Sequence, residues 1–206
     1  MFWDHVAGVY DIFANVINRK ADRALCAAVA DAIEPADEVL ECACGTGLLS
    51  GPIAQRCKSL VATDFSENML RRARKKHRNY RNITFEFADI LRLSYPDARF
   101  DAVVAANVIH LLDEPYRALR ELDRVCRPGG RLIIPTYING TEDGQSNRVT
   151  TAIGKAGADF QREFTPASYR QFFADAGYAD VRYIPCPGRV PCLVAIIQKH
   201  ETEETE

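Results

Sequence analysis

The chain has 206 residues, of which 47% are hydrophobic and 26% are charged, and this composition predicts a single compact domain with a substantial core. The formal net charge at pH 7 is −2 and the pI is about 6.1, so the charge balance gives no reason to expect nucleic acid or an anionic membrane as a partner.

The sequence carries no pattern of export, membrane insertion or metal binding. The start, MFWDHVAGVY, lacks a basic flank followed by an apolar stretch, and no apolar run approaches the roughly 20 residues that span a bilayer. The seven cysteines are scattered and odd in number, and no cysteine pairs with a histidine at ligand spacing. We therefore expect a cytoplasmic protein with reduced thiols, no membrane span and no metal.

Hydrophobic periodicity predicts strands and helices in alternation along the chain. A helical pattern covers residues 5–33 and ends at Glu34-Pro35. The predicted strands are 38–43 (EVLECA), 59–64 (SLVATD), 82–89 (NITFEFAD), 100–109 (FDAVVAANVI), 131–138 (RLIIPTYI), 178–184 (YADVRYI) and 190–199 (VPCLVAIIQK). The further predicted helices are 48–57, 67–79, 113–126, which Pro128-Gly129-Gly130 stops, and a last one that Thr165-Pro166 opens and Gly177 closes.

This alternation predicts an α/β fold, a three-layer sandwich around a mostly parallel seven-stranded sheet. Only a short turn joins the last two strands, so the last strand should run antiparallel. We expect one domain over residues 1–200, with an N-terminal helical cap over 1–34 and a lid over 139–160, although the latter could equally be a surface insertion. The acidic tail, residues 201–206, should be disordered.

The carboxyl ends of the predicted strands carry the residues of a nucleoside site. The first strand ends in the turn of ECACGTG, residues 41–47, and an acid, Asp64, follows about 20 residues later, a spacing that suits the hydroxyls of a ribose. The segment GTGLLSG is one step from the GxGxxG turn of dinucleotide sites, but Glu41 would repel a pyrophosphate there. A cofactor with a cationic amine would instead find Glu41 favourable.

The chain resembles the class I S-adenosylmethionine-dependent methyltransferases, in particular those that act on small molecules. The resemblance rests on five segments in order, VLECACGTG, VATDFSENML, FADI, FDAVVAANVIHLL and RVCRPGGRLII, and on an opening, FWDHVAGVYDIF, that looks like the N-terminal cap of small-molecule members. It implies a Rossmann-like sandwich, S-adenosylmethionine as cofactor, S-adenosylhomocysteine as product, and transfer of a methyl group to a small-molecule acceptor by in-line displacement.

The resemblance also implies roles for individual residues. Gly45 and Gly47, preceded by Ala43 and Cys44 in the same turn, would let the methionine end of the cofactor approach the backbone. The remaining implied contacts are Glu41 to the amino group, Tyr10 over the carboxylate, Asp64 to the ribose, Phe65 and Met69 beside the adenine, Asp89 and the backbone of Ile90 to the adenine edge, and Asn107 by the methionine portion.

Two features of the turn depart from or add to the family pattern. Ala43 occupies the position of the first glycine, which alanine can do if its φ angle is negative. Cys42 and Cys44 alternate with Ala43 on a strand, so they should point to the same face of the sheet. Most simply they are small packed residues; the alternative is thiol chemistry such as binding of a soft metalloid.

His110, after the fourth strand, is the candidate catalytic base, with a pKa range suited to proton transfer; the alternative is that it shapes the pocket. Secondary candidates near the acceptor are Tyr137, Asn139, His5 and Asp11. His77 and His200 are predicted to be solvated, and so is the helix that carries the basic run 71–78.

Two other functions remain open at this level. One is an NAD(P)-dependent oxidoreductase on a similar sheet, although the chain contains no Tyr-x-x-x-Lys pair. The other is a non-catalytic protein that binds S-adenosylmethionine. The sequence is compatible with a monomer or a homodimer.

Overall fold

The strands form one sheet. The computed structural model describes residues 18–139 and 162–200. Its strands are β1 (Glu38–Cys42), β2 (Ser59–Asp64), β3 (Ile83–Phe87), β4 (Phe100–Ala105), β5 (Cys126–Tyr137), β6 (Val181–Cys186) and β7 (Cys192–Gln198). All seven predicted strands are therefore present, with boundaries shifted by a few residues.

Helices cover both faces of this sheet. They are α1 (Arg19–Asp31), α2 (Ser50–Ala54), α3 (Glu67–Lys76), α4 (Pro115–Val125) and α5 (Pro166–Asp175), with a 3-10 turn at Ile109–Leu111. Buried side chains of α1 and α2, including Leu25 and Ile53, pack on one face with Val39 and Val104. The other face packs against α4 and α5, so the architecture has three layers.

The strand order is β3-β2-β1-β4-β5-β7-β6. β1 pairs in parallel with β2 and β4, and β7 runs antiparallel to both β5 and β6. The predicted Rossmann-like α/β sandwich, with six strands in one direction and the last reversed, is confirmed. From β1 the chain adds β2 and β3 on one side and then continues with β4 on the other side, so the strand order changes direction between β1 and β4. In open α/β sheets, ligands bind at the carboxyl ends of the strands at such a point.

The segment Pro128-Gly129-Gly130 behaves differently from the prediction. It stops the helix, but it belongs to β5, which begins immediately after α4. The register between β4 and β5 shifts there, from Phe100 opposite Cys126 to Ala102 opposite Arg131. A side chain on Gly130 would lie 2.8 Å from the Asp101 carbonyl, so a glycine lets the bulge close against β4.

Some predictions lie wholly or partly outside the described residues. They are the first half of the helical cap, residues 140–160 of the predicted lid over 139–160, and the acidic tail 201–206. From the cap, the structure describes α1, which confirms the helical periodicity predicted around Leu25 and Val29. Within residues 18–139 and 162–200, no helix has the length and apolar character to cross a membrane.

Candidate active site

A cavity of about 380 Å³ lies at the carboxyl edge of the sheet, over β1, β2 and β4. Most of the residues predicted to hold a cofactor line it: Glu41, Ala43, Cys44, Gly45, Asp64, Phe65, Met69, Asp89, Ile90 and Asn107. Gly47 lies behind the lining, in the same turn, while Tyr10 is outside the described residues. Leu25 of α1 and Leu111 of the 3-10 turn close the sides with apolar surface.

The glycine turn has left-handed backbone at three alternate positions. Ala43, Gly45 and Gly47 have φ angles of 54°, 55° and 81°. The amide of Cys44 donates to the Thr63 carbonyl at 2.9 Å, which ties the turn to the end of β2. The expectation that Ala43 has a negative φ is wrong: the turn imposes the glycine conformation on an alanine, which costs about 1–2 kcal/mol of strain.

The same backbone geometry separates the two thiols of the turn. Cys42 belongs to the core between the sheet and α4 and α5, whereas Cys44 packs on the opposite side with α1 and α2. The prediction that they share a face is wrong, because the left-handed Ala43 ends the strand alternation after Cys42. Both thiols are buried, and burial raises the pKa of Cys42 to about 12.

Glu41 is a buried acid at the wall of the cavity. Its side chain is only 2% exposed, and its Oε2 accepts a hydrogen bond of 2.6 Å from the hydroxyl of Ser50 on α2. Burial raises the pKa of Glu41 to about 8, with the hydrogen bond from Ser50 opposing this and nearby Asp64 adding to it. Within residues 18–139 and 162–200 no lysine or arginine forms an ion pair with Glu41, although the positive charge of Lys76 also opposes the rise of its pKa.

Asp64 joins the two loops that line the cavity. Its Oδ2 accepts from the amide of Gly45 at 2.8 Å, and its Oδ1 accepts from the amide of Ser66 at 2.9 Å. The carboxylate therefore fixes the glycine turn against the start of α3, at the wall of the cavity.

The far end of the cavity is aromatic and apolar. Ser66 caps α3 by accepting from the amide of Met69 at 3.3 Å, which turns Met69 into the buried wall. Phe65 is 47% exposed, and its ring lies 5.1 Å from that of Phe87. Asp89 follows β3, where its Oδ1 accepts from the amide of Leu91 at 2.9 Å. A flat apolar group would fit beside Phe65 and Met69.

Asn107 follows β4 in left-handed backbone, with a φ of 52°. Its backbone amide donates to the Pro135 carbonyl at 2.8 Å, and its side-chain Oδ1 lies 3.5 Å from the thiol of Cys192. Asparagine tolerates this conformation better than most residues. The residue therefore turns the chain sharply at the edge where β4, β5 and β7 meet the cavity.

His110 lies beside the cavity rather than in its wall. It is 3% exposed, its Nδ1 is 2.9 Å from the Thr136 hydroxyl, and its ring packs edge-on against Tyr137. Burial lowers the pKa of His110 to about 4, so the ring is neutral at physiological pH. Its role as base stays a prediction.

His77 is buried, so the prediction that it is solvated is wrong. It is 7% exposed, and its Nε2 lies 2.7 Å from the carbonyl of Gly47. A side chain on Gly47 would lie 2.7 Å from the same nitrogen. The lysines and arginines around His77 in the sequence favour an exposed position. Its spacing from Leu70 and Ala73, however, places it on the buried face of α3 and indicates burial.

The secondary candidates are spread around the same edge. Tyr137 and Asn139 end β5, and the Asn139 side chain donates to Glu163 at 2.8 Å. His5 and Asp11 lie outside the described residues. No group of three or more histidine, cysteine, aspartate or glutamate side chains in the described ranges could hold a metal ion.

Comparison with known proteins identifies relatives of this architecture. A family model described as a methyltransferase domain matches residues 40–134. A demethylmenaquinone methyltransferase of Renibacterium salmoninarum is 29% identical over 201 residues, covering 88% of this chain and 84% of the relative. A protein of the same name from Streptomyces griseus subsp. griseus is 35% identical over 141 residues, covering 68% of this chain and 60% of the relative.

Solved structures show the same fold. A methyltransferase of Thermotoga maritima that depends on S-adenosylmethionine superposes with a TM-score of 0.74 at 21% identity, covering 96% of this chain and 98% of that one. The magnesium protoporphyrin IX methyltransferase of Synechocystis, solved with bound S-adenosylhomocysteine, has a TM-score of 0.66 at 23% identity, covering 88% and 82%.

Proposed function

Because the chain belongs to the class I S-adenosylmethionine-dependent methyltransferase family, we propose that the cavity over β1, β2 and β4 holds the cofactor and that the acceptor is a small molecule. The protein is an enzyme, a methyltransferase, and S-adenosylmethionine is its cofactor. The proposal concerns the residues that bind the cofactor, the acceptor and the setting in which the enzyme works.

The observation that carries the cofactor assignment is the buried acid Glu41 beside a glycine turn. A buried carboxylate is costly unless a cation or hydrogen-bond donors neutralise it, and Ser50 supplies only one donor. S-adenosylmethionine brings an ammonium group and a sulfonium and no phosphate. The same acid offers no attraction to the pyrophosphate of NAD, and in its ionised form it would repel it.

The remaining cofactor contacts are assigned in order along the cavity, starting from Glu41 and the glycine turn. We assign the methionine end to the turn of Ala43, Cys44, Gly45 and Gly47, with Asn107 beside it and Tyr10 over the carboxylate. We assign the ribose hydroxyls to the carboxylate of Asp64, which lines the cavity at the end of β2. The adenine would lie between Phe65 and Met69, with Asp89 accepting from its amine and the amide of Ile90 donating to its ring.

The cofactor supplies a methyl group on a positive sulfur, which is already an excellent leaving group. The work left to the protein is to align the acceptor and to exclude water. The apolar side chains of Leu25, Leu111 and Leu112 around the cavity suit the exclusion of water.

A small-molecule acceptor is supported by the relatives, two of which are named for demethylmenaquinone, and by the near-neutral charge of the chain. We place the enzyme in the cytoplasm because its seven cysteines are all free thiols, which a reducing compartment preserves. A helical cap over 1–34 and a lid over 139–160 would enclose the acceptor, in a monomer or a homodimer.

The test is a chemical double-mutant cycle on Asp64. Calorimetry compares S-adenosylhomocysteine with its 2′,3′-dideoxy analogue on the wild type and on Asp64→Ala. We expect Asp64→Ala to weaken binding of the parent compound by roughly 10- to 100-fold, which is the loss of one to two charged hydrogen bonds. The analogue should bind both proteins almost equally.

The control variant is Asp97→Ala, because Asp97 is an exposed acid that pairs with Arg124. It should bind both compounds as the wild type does. Equal weakening of both compounds by Asp64→Ala would mean that Asp64 only holds the glycine turn, and binding of NAD in place of both sulfur compounds would contradict the assignment of the cavity.

A further inference from the structure

His77 is a buried side chain at the end of α3 that the cofactor assignment does not use. Its ring contacts a segment 30 residues earlier in the sequence, the glycine turn that follows β1. The ring Nε2 lies 2.7 Å from the carbonyl oxygen of Gly47. A carbonyl oxygen only accepts hydrogen bonds, so Nε2 carries the proton and donates it. One buried histidine therefore holds one peptide group of the turn.

The ring of His77 is tightly enclosed at this position. A side-chain carbon on Gly47 would lie 2.7 Å from Nε2, and one on Gly51 would lie 3.0 Å from Cε1, so the ring fills the space that two glycines leave. The rings of Tyr80 and Phe85 also pack against it, with centroids 5.7 and 6.3 Å away. Burial lowers the pKa of His77, so the ring is mostly neutral at pH 7.

The glycine turn is anchored to two other elements of the fold. Its first half is tied to the end of β2, because the amide of Gly45 donates to Asp64 at 2.8 Å. Its second half is tied to the end of α3, where the Gly47 carbonyl accepts from His77 and lies 3.4 Å from Nζ of Lys76. The end of α3 therefore holds the second half of the turn, as β2 holds the first.

The direction of the Gly47 carbonyl decides what the turn presents to the cavity. Thr46 and Leu48 line the cavity, whereas Gly47 between them does not. Every peptide bond in the described part of the chain is trans, so the amide N–H of Leu48 points opposite to the Gly47 carbonyl and away from His77. Glycine tolerates either orientation of this peptide, so the turn by itself does not fix it.

We propose that His77 is a positioning residue for the methionine end of the cofactor, because its Nε2–H fixes the Gly47 peptide in the orientation that accepts the amino acid group. This inference rests on the proposed function, since it needs S-adenosylmethionine in the cavity with its methionine end on the glycine turn. His77 does not line the cavity, so it acts through Gly47.

The proposal predicts which ligands depend on His77. Without the donor the Gly47 peptide can rotate, and only a fraction of the molecules hold the binding conformation. The apparent affinity of a ligand that uses this peptide falls in proportion to that fraction. S-adenosylhomocysteine carries the amino acid group and should lose affinity. The compound 5′-methylthioadenosine has the same adenosine and a thioether sulfur but no amino acid group, so its affinity should not change.

The test measures both ligands by calorimetry on the wild type, His77→Phe and His77→Gln. Phenylalanine keeps an aromatic ring beside Tyr80 and Phe85 but has no hydrogen-bond donor. Glutamine carries an amide N–H at a similar reach and should restore the hydrogen bond. Thermal unfolding of each protein is measured alongside, so that binding and folding are separated.

Asn82→Ala is the matched control, because it loosens the opposite end of α2 and leaves the glycine turn intact. The side chain of Asn82 donates to the carbonyls of Ala54 and Cys57 at 2.9 and 3.3 Å. Loss of these bonds should lower the melting temperature. The ratio of the two dissociation constants should nevertheless equal that of the wild type.

We expect His77→Phe to weaken binding of S-adenosylhomocysteine by about 5- to 15-fold, which corresponds to the loss of one buried hydrogen bond. Binding of 5′-methylthioadenosine should stay within about twofold of wild type. His77→Gln should bind both compounds within about twofold of wild type.

Three results would overturn the inference. They are equal weakening of both compounds by His77→Phe, no weakening of either, and a His77→Gln variant that binds like His77→Phe. If the wild type binds neither compound, the proposed function itself fails. Should His77→Phe not fold, nitrogen NMR of the wild type decides. The Nε2–H signal of His77 should then shift with S-adenosylhomocysteine alone, and equal shifts with both compounds or with neither would contradict the proposal.

Discussion

The substitution Glu41→Gln should stabilise the protein and weaken cofactor binding at the same time. In the folded protein, burial raises the pKa of Glu41 to about 8, against 4.5 in an unperturbed chain. Between these two values the folded state holds a proton that the unfolded state has lost. The stability of the folded state is therefore fully present below pH 4.5 and falls as the pH rises toward 8.

The size of the effect follows from the width of this window. Each pH unit costs about 1.36 kcal/mol, so the 2.5 units between pH 4.5 and pH 7 correspond to about 3 kcal/mol. Glutamine has no proton to lose. The stability difference between Glu41→Gln and wild type should grow steadily from pH 5 to pH 8, whatever constant offset the new amide introduces.

Binding of S-adenosylhomocysteine, which carries an ammonium group, should show the opposite dependence on pH. Glu41 must lose its proton before it can attract the cation, so wild-type affinity should rise up to tenfold per pH unit from pH 6 to pH 8. The same binding should release close to one proton at pH 7. The variant should bind more weakly at pH 8, with little dependence on pH and no proton release.

Urea unfolding at four pH values and calorimetry in two buffers of different ionisation enthalpy measure both effects. Ser50→Ala is the matched control, because it removes the hydrogen bond that lowers the pKa of Glu41 and should move the rise in affinity to higher pH. Parallel stability curves for wild type and Glu41→Gln, together with wild-type affinity that does not vary with pH, would refute the reasoning.

Two further predictions concern the glycine turn. Gly47→Ala should destabilise the protein by about 2–4 kcal/mol in urea unfolding, since its φ is 81° and the new carbon would lie 2.7 Å from His77. The control Gly177→Ala, at a φ of 89° with open space around it, should cost about 1 kcal/mol. Equal losses in the two variants would show that the clash with His77 does not matter. Ala43→Gly should raise the free energy of unfolding by about 0.5–1 kcal/mol without changing the affinity for S-adenosylhomocysteine. Glycine relieves the strain of a φ of 54°, and the greater conformational entropy that it gives the unfolded chain offsets part of this gain. A loss of stability would show that Ala43 is unstrained.

The order of strands and helices could be predicted from the sequence because each element carries its own local pattern. The continuous apolar run of β4 and the alternation in β3 each fix one element within a few residues. The direction of β7 followed from the short turn before it. The bulge in β5 could not be predicted, since it depends on how Gly130 meets Asp101 across two strands.

The candidate site was predicted in position more fully than in conformation. Residues after β1, β2, β3 and β4 converge because parallel strands end at one edge, and this needs only the topology. The φ of Ala43 was misjudged because alanine by itself favours negative values, and the turn overrides that preference. The burial of His77 depends on a contact 30 residues away in sequence, with Gly47.

The burial of Asp22 is visible in the sequence pattern of α1. The stripe that identified α1 as a helix contains Leu25 and Val29, and Asp22 lies three residues before Leu25 on the same face. An acid on the apolar face of a helix is an exception that requires an explanation. The hydrophobic pattern alone could not supply its surroundings, which include Cys192 on the distant strand β7.

The free thiols can report how the protein unfolds, because they are buried in different layers. Cys42 and Cys126 are buried in the layer of α4 and α5, whereas Cys44 and Cys192 are buried in the opposite layer. Of the seven cysteines, Cys26 alone is partly accessible. A thiol-reactive dye added during slow denaturation would therefore label Cys26 first. Mass analysis of the labelled peptides would then reveal whether the two layers come apart together or in sequence.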